Sequence, residues 1–216
     1  MSLVQSLLGS PTINFCESAG SGIIARPGYA FSNMIYFAVG IYLLAKKESK
    51  IAKSFGVLAL MVGAFSMIYD ITYTYGAQLL DLFGMFLFVS FILVLNLKRI
   101  NPRIRHLSKI LFLIAFFSVI LTFFIKGYSG DVIFTMLILF ILLIEFYVSK
   151  NSKRLNYQSL FIAIVLICIG AFIWIFDAFQ IWCSPATILN GRAIFHYLTA
   201  IAIVYISRFY GQFKEI

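Results

Sequence analysis

Charge is scarce in this sequence: only 12% of its 216 residues are Asp, Glu, Lys or Arg, about half the share of a soluble domain. Too few charged side chains exist to cover a water-facing surface, which excludes a soluble globular protein. Proline is limited to 4 residues, and no low-complexity run, internal repeat or Pro/Gly-rich linker divides the chain, so residues 1–216 read as one domain. Residues 1–15 have no basic cluster ahead of their few apolar residues, which argues against a cleaved signal peptide and leaves the first span as its own insertion signal. No base-reading module or aromatic-basic stripe accompanies the net charge of +9, so no nucleic-acid partner is expected.

What is abundant is apolar. Hydrophobic residues make up 62% of the chain, with 24 Phe and 12 Tyr. Seven apolar runs of helical length are predicted, over 31–45, 55–73, 79–97, 107–125, 132–148, 160–182 and 193–206. Unpaired backbone amides are costly in hydrocarbon, and the short alternating segments of a β-barrel are missing, so each run is expected to be a helix. The predicted fold is an all-α, integral membrane bundle of seven helices.

The basic residues lie between these runs, and they divide by side. Lys46, Lys47, Lys50 and Lys53 follow the first run; Lys98, Arg99, Arg103, Arg105 and Lys109 the third; Lys150, Lys153 and Arg154 the fifth; Arg208 and Lys214 the seventh. That is 14 of the 17 basic residues, with only Arg26, Lys126 and Arg192 on the opposite side. The positive-inside rule then places the N-terminus on the exoplasmic side and the C-terminus in the cytoplasm. The basic loops are expected to meet anionic headgroups.

Ionisable residues inside spans cost at least about 2.5–3.5 kcal/mol at the helix centre and normally face a protein interior. Here they converge at one depth, near the exoplasmic surface: Ser66 and Asp70 on the second span, Asp81 on the third, Asp177 on the sixth, Arg192 and His196 on the seventh. Ser66 and Asp70 are four residues apart, as are Arg192 and His196, so each pair shares one helix face. Glu145 alone lies near the cytoplasmic end, where it is expected to reach the interface. Two readings stay open, a functional pocket and an ion-pair network that only fixes helix packing. Cys16 and Cys183 both fall outside the spans on the exoplasmic side, where a disulfide would tie the N-terminal segment to the pocket; two free thiols are the alternative.

Six strings then carry a resemblance: NFCES (14–18), RPGYAFSN (26–33), GAFSMIYD (63–70), QLLDLFGM (78–85), FDAFQIWCSP (176–185) and GRAIFHYLTA (191–200). Together they resemble the alkaline ceramidases, part of a superfamily of seven-helix membrane hydrolases that includes the adiponectin-receptor-like proteins. The resemblance implies a zinc amidase acting on sphingolipids, with three His ligands, an Asp that positions the bound water and a Ser that supports the oxyanion. The family's Ser falls on Ser66, its Asp on Asp81 and its last His on His196. The other two His positions are Asp70 and Arg192 in this chain.

Those two changes leave two arrangements open. A divalent ion, zinc included, would have to be held by His196, Asp70 and Asp81, a harder and weaker set than three imidazoles. Alternatively, an Asp70–Arg192 ion pair fills the space of the metal. The resemblance also implies a calcium site near the N-terminus; Glu17 matches one ligand, but Asn14 and Ala19 replace two others, so calcium is not expected. Asp177 is expected to support the site through a helix-to-helix hydrogen bond.

Three functions follow for comparison. The first is a ceramidase-like hydrolase cleaving the amide of a sphingolipid or related lipid drawn from the bilayer. The second is an inactive relative that binds a lipid or a protein partner in the same pocket. The third, a retinal protein, receptor or transporter, is disfavoured because the last span has no Lys for a Schiff base, the common receptor signatures at helix ends are absent, and no pair of broken helices marks a midplane site. No ER-retrieval tail or glycosylation sequon is present, so a bacterial inner membrane is expected before a eukaryotic endomembrane.

Overall fold

The computed structural model of the protein describes residues 9–46, 49–104, 106–149, 155–181, 183 and 190–213. Eight helical segments occur in this part: α1 (Pro27–Ser32), α2 (Met34–Ala45), α3 (Lys50–Thr72), α4 (Tyr75–Ile100), α5 (Leu107–Ile125), α6 (Ser129–Ser149), α7 (Gln158–Ala178) and α8 (Gly191–Tyr210). The first two form a single stretch, Pro27–Ala45, and with it seven helices are long and apolar enough to cross a membrane. No strand is present among the described residues. The fold is thus all-α, as the apolar runs require. Trp182, Lys47, Arg105, Lys150, Lys153, Arg154 and Lys214 lie outside the described residues.

Local chemistry sets the helix ends. Pro27 opens α1 at a position where its missing N–H costs nothing. Ser49, Thr74 and Asn190 cap α3, α4 and α8 by accepting from the N–H of Ala52, Ala77 and Ala193. Tyr73, with φ of 47°, makes the left-handed corner between α3 and α4. The first span is longer than predicted and is broken at Asn33, whose side-chain amide donates to the Tyr29 carbonyl (3.0 Å) and to Asp70 Oδ2 (2.9 Å).

Glycines let α2 and α3 pack closely. A Cβ on Gly40 would sit 2.9 Å from the Gly56 carbonyl oxygen, and one on Gly63 would sit 2.8 Å from the Tyr36 Cβ, the small-residue packing that membrane helices use where no hydrophobic effect drives association. Around the bundle, α7 packs on α8, α8 on α2 and α3, α3 on α4, and α4 on both α5 and α6. Among the described residues, α6 and α7 make no extensive contact with each other. Between α3, α4, α6, α7 and α8 lies a cavity of about 420 Å³, within the usual range for small-molecule sites. The outward faces of α5, α6 and α7 are dense with exposed apolar side chains such as Phe117, Phe124, Phe146 and Phe172.

Candidate functional site

The N-terminal segment folds over one end of the bundle and completes the site. Its backbone is fastened to the α3–α4 corner by Ala25 N–H to Ile71 O and Arg26 N–H to Asp70 O, each 3.0 Å. Thr12 and Gln78 exchange hydrogen bonds of 2.9 Å on the other side. Cys16 and Cys183 are joined in a disulfide, which ties the strap to the chain beyond α7.

Two acidic residues anchor this lid. Glu17 accepts from Gly28 N–H (2.7 Å, Oε1) and Tyr29 N–H (2.8 Å, Oε2), so both its oxygens are spent on orphan amides at the start of α1. Asp177 accepts from Cys16 N–H (3.0 Å) and the Tyr29 hydroxyl (2.7 Å) through Oδ1, and from Arg192 N–H (2.9 Å) through Oδ2. It therefore fixes the strap, α1 and α8 to the end of α7.

Beneath the lid, Asp70 is fully buried and engaged at both oxygens. Oδ1 takes the Arg26 guanidinium at 2.6 Å and lies 3.5 Å from Arg192 Nη2; Oδ2 takes Asn33. Arg192 Nη2 is also 3.4 Å from Asp81 Oδ2. The two guanidinia share an aromatic wall. Arg26 is stacked among Tyr73 (4.2 Å), Tyr69 (4.6 Å), Tyr29 (5.2 Å) and Phe15 (5.5 Å), and Arg192 lies 4.4 Å from Phe15. Such cation–π contacts take the place of water around Arg26, whose Nε and Nη1 make no hydrogen bond among the described residues.

His196 is oriented by Ser32. The Ser32 hydroxyl donates its one proton to the Tyr29 carbonyl at 2.7 Å, so at its 2.7 Å contact with His196 Nδ1 it must accept. The neutral ring then carries its proton on Nδ1 and its lone pair on Nε2. His196 borders the cavity, as do Ser66, Asp81 and Arg192. Asp70 does not; it lies behind them, against Arg26.

These placements revise the expected constellation. Ser66, Asp81, Arg192 and His196 meet around one cavity, but the shortest partner of Asp70 is Arg26, with Arg192 more distant. Arg26 went unassigned because it precedes the first predicted run, although the string RPGYAFSN carries it together with Ser32 and Asn33. Glu145 does not reach the interface: it is buried and pairs with Arg99.

The Ceramidase family model matches residues 9–214. The chain belongs to the Ceramidase family. No curated protein matches it. For a Ceramidase, the donor set here is unusual. Of the two His in the sequence, His106 sits in the left-handed turn ahead of α5 at the opposite end of the bundle, so three imidazoles cannot meet at this site. Asp70, Asp81 and His196 are not placed to share an ion either, and no group of three His, Cys, Asp or Glu suited to a metal occurs among the described residues. Two guanidinia stand among the carboxyls, and a cation there would face their charge. The residues present do not fit the family's zinc.

Proposed function

We propose that the protein is a ceramidase-like membrane hydrolase that cleaves the amide of a sphingolipid or related N-acyl lipid, with a guanidinium–carboxyl cluster in the place of the family metal. The observation that carries this reading is an apolar cavity whose polar lining at one end includes Ser66, Asp81, Arg192 and His196. An acyl chain suits the apolar length, and the amide suits the polar end. The gap between α6 and α7 offers a lateral path from the bilayer, and the charge pattern turns the polar end towards the exoplasmic side.

In this reading His196 Nε2 takes a proton from water as its oxygen attacks the amide carbon. Arg192, held by Asp81, donates to the developing oxyanion, with the Ser66 hydroxyl as a second donor. Collapse of that intermediate breaks the C–N bond, and the proton held by His196 passes to the leaving nitrogen. The products are a fatty acid and an amine-bearing lipid.

A second reading, lipid binding without turnover, draws on the engagement of Arg192 with two carboxyls. One assay separates them: purified protein is mixed with a ceramide carrying a fluorescent acyl chain. Equimolar release of fatty acid and free base is expected. Tight retention of uncleaved lipid would leave the binding reading in its place.

A further inference from the structure

The cavity does not end among apolar side chains. At the end remote from Arg192 and His196 it meets Glu145 and Tyr210, and these belong to a second buried polar cluster. Arg99 of α4 makes a two-pronged ion pair with Glu145 of α6. The Tyr157 hydroxyl, just before α7, donates to Glu145 Oε1 at 3.2 Å. On the other side, Asn96 Oδ1 accepts from Arg99 at 3.1 Å and from the Tyr210 hydroxyl of α8 at 2.8 Å. The network thus joins α4, α6, α8 and the start of α7, four of the helices that wall the cavity. Arg99 was expected among the headgroup-facing basic residues, but its side chain is only 5% exposed and its guanidinium lies 4.1 Å from the Phe213 ring.

We infer that the Arg99–Glu145–Tyr157 cluster is the floor of an acyl-chain channel and sets the longest acyl group the protein accepts. This rests on the reading of the cavity as an amide-lipid site. A hydrocarbon terminus driven into the cluster would have to part a buried ion pair, and separating such a pair leaves an uncompensated charge. The length follows from α6, which borders the cavity from Asp131 near the polar end to Glu145 at the floor; the 14 residue steps from one to the other span about 21 Å at the helical rise. That exceeds the roughly 15 Å of a single hydrocarbon leaflet. It accommodates an extended palmitoyl chain and is short for a lignoceroyl chain.

Leu142 and Ile138 line the same channel one and two turns above Glu145, so they graduate it. Delipidated full-length protein in detergent is offered an equimolar mixture of N-octanoyl, N-palmitoyl and N-lignoceroyl sphingosine, and the retained lipids are weighed by mass spectrometry, independently of turnover. The wild type is expected to retain palmitoyl over lignoceroyl by about tenfold or more. Leu142→Trp should move the preference towards octanoyl, and Ile138→Trp further, since the four-residue step from one to the other is worth about 6 Å. Leu142→Phe, a smaller change in the same direction, serves if either Trp variant does not fold. An unaltered ranking in variants that still bind lipid would overturn the floor and leave the amide-lipid reading intact. Retention of none of the three by the wild type would overturn both.

Discussion

Asp70→Ala should destabilise the protein by about 3–5 kcal/mol, the usual cost of stripping one partner from a buried ion pair. Arg26 is fully buried, has Asp70 as its one carboxyl partner among the described residues, and is otherwise ringed by aromatic faces. Without Asp70 its charge remains in a cage that cannot hydrate it, and Arg192 keeps only Asp81. Arg26→Met combined with Asp70→Leu removes the charge and its partner together, so most of the lost stability should return. Unfolding of the purified protein in mixed micelles, followed for both single variants and the pair, reads this coupling. Additive losses would mean that Arg26 and Asp70 do not act as a unit.

Fatty-acid release should fall by about 10²–10⁴ in His196→Ala, the range for loss of a general base. The ring has no substitute in the cavity: it is the one imidazole at this end, and its contact with Ser32 is made through Nδ1 rather than Nε2. Ser32→Ala should give a smaller loss, because the ring stays in place while its tautomer is no longer fixed. Arg192→Met should cost about 10²–10³ if the guanidinium meets the oxyanion, and its stability must be checked alongside because Asp81 then loses a partner. Unchanged release in His196→Ala would remove the imidazole from the chemistry.

The spans were legible because a membrane helix announces itself in length and apolarity, and four-residue spacing brings Arg192 and His196 to the same cavity. Local periodicity could not reach further. Arg26 comes to Asp70 only because the chain before α1 doubles back across the bundle, a contact 44 residues apart in sequence that no helical period encodes. Arg99 misled for a different reason: the positive-inside pattern reads every cation near a span end as a loop charge, whereas one carboxyl facing it across α4 and α6 draws this cation inside. Glu145, the lone acid in its span, was the available hint. The break at Asn33 was hidden because one Asn in an apolar run is a weak signal; its side chain donates to the Tyr29 carbonyl and to the Asp70 carboxyl on another helix.

The proposed function, with guanidinia and carboxyls at the head of the cavity, predicts amide cleavage that does not depend on the family's zinc. Fatty-acid release from N-palmitoyl sphingosine by one purified preparation, before and after exhaustive chelation and with its metal content determined, tests this most directly. The expected result is release that continues at the same rate, with metal far below stoichiometric amounts. Release that stops on chelation and returns with zinc, or no release from either sample, would contradict it.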